Sequence, residues 1–216
     1  MTDKELKHQV QNALDWEPSL DATDVGVSVD QGVVTLRGNV PSYAEKMTAE
    51  HVALRVFGVR AVANDVSVRL SSASERTDTD IAQAAVAALK WNSVIPKDRV
   101  AVAVTDGWIT LSGPVNWHYE KDAAARTVRD LTGVKGVIND IVVQPQLRTT
   151  DIREKIEAAF KRSAELDARR VSVATEDGKV ILSGNVHSWA ERQEAERAAW
   201  AAPGVKQVDD RLSVVP

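Results

Sequence analysis

A chain of 216 residues without a single cysteine excludes disulfides, thiolate metal centres, a cysteine nucleophile and a lipid anchor on cysteine. Its 27 basic and 31 acidic residues leave a net charge of −4 with no Lys/Arg-rich tail, which excludes a global nucleic-acid footprint. No stretch approaches the ~20 apolar residues that span a bilayer, and the opening MTDKELKHQVQNALDW carries acids and amides where an export signal needs a basic segment and an apolar run. The expectation is a cytoplasmic protein, or a periplasmic one if a leader has been removed.

Nine of the eleven glycines fall into three columns: Gly32, Gly107 and Gly178; Gly38, Gly113 and Gly184; Gly58, Gly133 and Gly204. Each column recurs after 75 and then 71 residues, so one module is written three times. The division expected is a module over 1–70, a linker over 71–78, a module over 79–143, a linker over 144–149 and a module over 150–216. Units of about 65 residues bury only ~60% of their unfolded surface, so contacts between modules are expected.

Taken in order, each module opens with apolar residues at i, i+4 and i+8: Leu6, Val10 and Leu14; Ile81, Ala85 and Leu89; Ile152, Ile156 and Phe160. That spacing is one face of an amphipathic helix, and Thr2 with Glu5 makes a capping box at the first start. Alternating segments follow, with Val25, Val27 and Val29, then Val100, Val102 and Val104, then Val171, Val173 and Thr175 on one face. The turns Asp30-Gln31-Gly32, Asp106-Gly107 and Asp177-Gly178 close hairpins, and the second strands turn Val34 and Leu36, Ile109 and Leu111, and Val180 and Leu182 inward.

A second helix is announced by SYAE at Ser42–Glu45 and SWAE at Ser188–Glu191, both capping boxes. The middle copy reads WHYE, with Trp117 at the cap position, so that helix must start differently or less firmly. The buried stripes expected are Ala49, Val52, Ala53 and Val56; Ala124, Thr127, Val128 and Leu131; and Ala195, Ala198, Ala199 and Ala202. Gly58, Gly133 and Gly204 stand where a C-terminal left-handed glycine belongs, and a last strand follows each. The fold class predicted is α+β, three tandem α-β-β-α-β modules, each two helices on one face of a three-stranded mixed sheet.

These motifs resemble the BON domain. The resemblance rests on GVVTLRGNVPSYAEK and GVRAVANDVSV, GWITLSGPVNWHYEK and GVKGVINDIVV, and GKVILSGNVHSWAER and GVKQVDDRLSV. It implies a non-enzymatic module of osmotic or envelope stress with affinity for phospholipid surfaces, associated in some members with solute transport or ion sensing. Many such proteins are exported or lipid-anchored, which this sequence gives no sign of, and the asparagine column of Asn64 and Asn139 becomes Asp210 in the third copy.

No catalytic, cofactor or metal site is expected. The four histidines His8, His51, His118 and His187 share no column and read as surface residues. Glu45, Glu120 and Glu191 recur as helix-start carboxylates that capping explains in two of the copies, and Asp78 and Asp80, flanking a Thr at a helix start with no calcium loop after it, read as N-capping. The aromatic distribution stands apart, since six of ten aromatic residues are tryptophan. Trp16 and Trp91 share a column at the end of the first helix. Tyr43 and Trp189, with Trp117 and His118 in the middle copy, crowd the start of the second helix, beside Lys46, Lys121 and Arg192. Amphipathic rings beside cations suit a lipid headgroup region or a protein partner; the same rings could instead pack as hydrophobic staples or against the next module. Trp108 belongs by parity to the sheet face away from the helices, as an intermodule contact or a binding surface. Basic residues at Lys97 and Arg99, Lys161 and Arg162, and Arg169 and Arg170 could add attraction to anionic lipid. The function expected is peripheral lipid-surface binding, with a protein-interaction scaffold and a cation or solute sensor as alternatives, and no nucleic-acid or redox partner.

Overall fold

The computed structural model describes residues 1–145, 151–163 and 169–215, so the second linker lies, over 146–149, outside the described residues. Three α-β-β-α-β series follow one another: α1 (Asp3–Asp15), β1 (Val25–Asp30), β2 (Val33–Val40), α2 (Tyr43–Arg55) and β3 (Ala61–Val68); α3 (Asp78–Trp91), β4 (Ala101–Thr105), β5 (Trp108–Val115), α4 (His118–Arg129) and β6 (Gly136–Val143); α5 (Ile152–Arg162), β7 (Val171–Glu176), β8 (Lys179–Val186), α6 (Trp189–Trp200) and β9 (Gln207–Val214). Each series forms one three-stranded sheet with its hairpin's second strand in the middle. The chain gathers into two compact units, Met1–Gly113 with Asp122–Ile141, and Pro114–Lys121 with Val142–Pro216.

In the first unit, α1 starts on the capping box foreseen: Thr2 Oγ1 accepts the Glu5 N–H and Glu5 Oε2 accepts the Thr2 N–H at 2.8 Å. Those bonds hold the exposed Glu5 carboxyl below its ordinary pKa, the Thr2 main chain contributing most. The helix buries Leu6, Val10 and Leu14 against Val25, Val27, Val34 and Leu36 of the hairpin and Ala49, Val52 and Ala53 of α2. β1 pairs antiparallel with β2, and β2 runs parallel to β3 from Val33 opposite Ala61 to Val40 opposite Val68, with α2 as the crossover.

The hairpin turns on two residues with positive φ, Gln31 at 49° and Gly32 at 79°, with Asp30 ending the strand. Such a pair matches the right-handed strand twist. Asp3 holds this turn from the first helix, its carboxylate accepting the Gln31 N–H at 2.8 Å and the Gly32 N–H at 3.1 Å. Asp78 does the same for Asp106 and Gly107, both at 2.8 Å. The sequence assigned Asp78 to helix capping with Asp80, yet only Asp80 closes that box, with Thr77. One acid caps the helix and the other ties the helix start to the hairpin.

Gly58 and Gly133 do not sit at the helix C-cap position. α2 ends at the cap residue Val56, and Gly58, at φ 92°, is the third residue of a turn closed by the Val59 N–H on the Val56 carbonyl. The same bond joins Val134 to Leu131 around Gly133. A positive φ there is the requirement of a type II turn.

The second unit repeats the scheme. Ile152, Ile156 and Phe160 of α5 pack with Val171, Val173, Val180 and Leu182 of the hairpin and with Ala195 and Ala199 of α6. β7 pairs antiparallel with β8 and β8 parallel with β9. Thr175, expected on the inward face, is exposed, although Val180, its partner across the hairpin, is buried.

The second-helix starts differ from expectation. Ser42 and Ser188 do cap Glu45 and Glu191, each at 3.2 Å. The glutamates, however, do not return to the cap residue's own N–H. The Ser42 hydroxyl occupies one Glu45 oxygen while the other accepts the Asp21 N–H, and Glu191 accepts the His187 N–H one residue upstream. In the middle copy the carboxylate of Glu120, 7% exposed, accepts both the Asn116 N–H at 2.8 Å and the Trp117 N–H at 3.0 Å. Replacing Glu120 with alanine strands two donors and is expected to cost about 1–3 kcal/mol in denaturant unfolding, whereas glutamine, keeping an acceptor oxygen, should cost less.

Candidate binding surface

The aromatic residues singled out in the sequence fall into three settings. Trp16, the C-cap of α1, and Trp91, the last residue of α3, are 88% and 87% exposed. Both rings stand in water where a Trp normally buries a large apolar area. The third residue of that repeat column is Arg162, exposed in the last turn of α5 beside exposed Lys161. Lys97 and Arg99 are exposed in the loop after α3, and Arg169 and Arg170 before β7.

The rings at the second-helix starts are not open. Tyr43 is half-buried, and with Ser42 and Ala44 it lines a crevice of about 130 Å³ whose other wall is Arg129 to Val134. Burial pushes its phenol above the ordinary pKa, the charge of Glu50 adding to the rise, while a hydrogen bond with the Val137 main chain and the nearby Arg129 oppose it. His118, expected at the surface, lies flat on Trp200 with ring centroids 4.0 Å apart and planes 13° apart. The ring it rests on belongs to the last residue of α6. Trp117 stacks on Tyr119 at 6.3 Å. Trp189 is half-buried under Arg192, whose guanidinium lies 4.7 Å from the ring centroid.

Arg192 is fixed from its other side by Asp210, Nε to Oδ2 at 2.7 Å with both side chains largely covered. That pair accounts for the broken asparagine column. Asn64 donates to the Lys46 carbonyl and to Glu50 at 3.0 Å while accepting the Val66 N–H. Asp210 keeps the acceptor half of this role, taking the Leu212 N–H at 2.9 Å, and exchanges the donor half for the charge of Arg192. Lys46 and Lys121, the other cations of that column, are half-buried on their helices.

Trp108 occupies the outer sheet face as parity requires. It is 46% exposed and its indole covers Gly136, with exposed Ile138 further along the neighbouring strand. The third module's outer face is charged instead, Asp209 lying between Lys179 at 3.2 Å and Arg211 at 2.8 Å. Those partners, Arg211 foremost, hold the Asp209 carboxyl below its usual pKa.

Sequence reasoning missed Arg129 and Trp200 as contact residues. The signal was available, since they share a repeat column with Leu54 near the end of the second helix. Among the described residues no group of three or more His, Asp or Glu side chains is placed to hold a metal ion, and no helix is long and apolar enough to cross a membrane.

Two helices on one face of a three-stranded mixed sheet, three times in tandem, define a repeat protein of small α+β modules. The BON domain profile matches residues 2–69, 77–145 and 148–216, and the chain belongs to the BON family. Osmotically-inducible protein Y of Escherichia coli (strain K12) is 35% identical over 147 residues, 65% of this chain and 72% of that protein. Among solved structures, CdsD, a structural protein of the type III secretion system of Chlamydia trachomatis, aligns over 98% of this chain and 93% of its own at 15% identity and a TM-score of 0.28. The periplasmic domain of PrgH aligns over 89% and 95% at 10% identity and a TM-score of 0.24.

Proposed function

We propose that this chain is a non-enzymatic binding protein of a bacterial osmotic or envelope stress response, attaching peripherally to phospholipid surfaces. The likeness to Osmotically-inducible protein Y supports the stress setting. The observation that carries the lipid reading is the pair Trp16 and Trp91, two indoles almost wholly in water at the same repeat position. An amphipathic ring gains by moving from water to the headgroup boundary, and an exposed cation such as Lys97, in the loop that follows the helix of Trp91, adds ~1 kcal/mol on an anionic surface. Individually weak sites repeated along one chain add through effective concentration.

Co-sedimentation with vesicles tests this. The protein is expected to pellet with anionic vesicles and not neutral ones, less at physiological than at low salt, and Trp16→Ala with Trp91→Ala should lower the bound fraction about tenfold. No pelleting under any of these conditions would overturn it. A second reading, a polypeptide partner, draws on Trp108 and Ile138, the apolar part of the second module's outer sheet face. It predicts that Trp108→Ala and Ile138→Ser abolish capture of one specific protein while vesicle pelleting stays unchanged.

A further inference from the structure

One kind of contact occurs twice within the chain at the same repeat positions. Tyr43, His118 and Trp189 form a column at the start of the second helix, and Leu54, Arg129 and Trp200 form a column near its end. In the first unit Tyr43 faces Arg129 and Leu131 across the crevice and reaches the Val137 main chain. In the second unit His118 lies on Trp200. Each time, a ring of the first column meets the next repeat's member of the second column.

Two ends of this series remain. Trp189, the last ring, has a buried indole N–H with no acceptor among the described residues. At the other end Leu54 is half-buried, and Phe57, aligned with the crevice residue Thr132, is 64% exposed. Val62, aligned with Val137, lies on β3, an outer strand of its sheet, and such an edge offers main-chain hydrogen-bonding groups.

We propose that a second copy of this chain docks head to tail, Trp189 of one copy seating against Leu54 and Phe57 of the next. The occupant follows from continuity with the two contacts already made inside the chain. Because the two patches differ, the contact is heterologous and extends from copy to copy instead of closing as a symmetric pair. Inside the chain it is favoured by an effective concentration in the millimolar range, so between chains it becomes visible when the protein is concentrated. It is independent of the lipid reading, which uses other residues.

The chain has no cysteine, so a mixture of two single-cysteine chains gives a direct test. Ala190, exposed beside Trp189, aligns with Ala44, which shares the crevice with Thr132, the residue aligned with Phe57. Arg55, exposed and aligned with the crevice residue Asp130, leaves Phe57 in place, so mixing Ala190→Cys with Arg55→Cys chains under mild oxidation is expected to give mixed disulfide dimers well above either homodimer. Sedimentation equilibrium of the unaltered chain should show species heavier than a monomer by about 1 mM. Phe57→Ser should weaken that association about tenfold, while Trp16→Ala with Trp91→Ala leaves it unchanged. A monomer at every concentration, homodimers equal to or exceeding mixed dimers, or association indifferent to Phe57→Ser would each overturn the proposal.

Discussion

Replacing Gly38 with alanine is expected to lower the stability of the first module by about 3 kcal/mol or more. The residue has φ of 132°, a region that side chains avoid, and an added Cβ would be driven into the main-chain carbonyl of Asp24, just before β1. The left-handed penalty contributes roughly 1–2 kcal/mol, and the collision must be relieved by moving a strand, comparable to overpacking at about 1–3 kcal/mol. Gly113 and Gly184 stand over the Arg99 and Arg170 carbonyls in the same way. Gly26 provides the contrast, since its Cβ would meet only the Arg37 carbonyl at 3.6 Å, an ordinary contact. Denaturant unfolding should therefore separate Gly38→Ala from Gly26→Ala by more than about 2 kcal/mol. Equal effects would mean that strand approach is not what the glycine column serves.

Truncating Leu36 to alanine is the second large effect, at about 2–5 kcal/mol. Leu36 is fully buried in the middle strand among Leu6, Val10 and Ala49 of the two helices, as Leu111 and Leu182 are buried in their own sheets. A domain of this size has roughly 3–10 kcal/mol in all, so the loss is a large share of the total. Val33, on the outer face and 41% exposed, should tolerate alanine within about 0.5 kcal/mol. If Val33→Ala were the costlier change, the assignment of inner and outer faces would be reversed.

The inner faces were legible because alternation in the strands and four-residue spacing in the helices leave so few choices. Val34, Leu36 and Leu14 are buried where the pattern required. The hairpins were legible from Asp106-Gly107 and Asp177-Gly178, and in the first copy from Asp30-Gln31-Gly32. What the sequence withheld were interactions between distant residues: Asp3 and Asp78 closing on the hairpin turns, and Glu45 accepting the Asp21 N–H instead of the main-chain N–H of its cap residue Ser42. A local motif names the polar group at a helix start but not which of several nearby N–H groups it will face. The rings at the second-helix starts show the same limit. Their clustering marked a contact surface, yet whether Tyr43 and His118 meet lipid, protein or a neighbouring part of the chain depends on packing that residue type does not encode. Trp16 and Trp91, marked by the same composition, are left uncovered.

That contrast can be measured with vesicles whose acyl chains carry bromine, which quenches a tryptophan only when its indole reaches the headgroup and acyl boundary. With anionic brominated vesicles at low salt, the unaltered chain is expected to lose fluorescence, and Trp16→Phe with Trp91→Phe should lose almost none of its remaining emission. Quenching that persists undiminished in the double variant would assign the membrane contact to other tryptophans, and no quenching of the unaltered chain would contradict surface binding altogether.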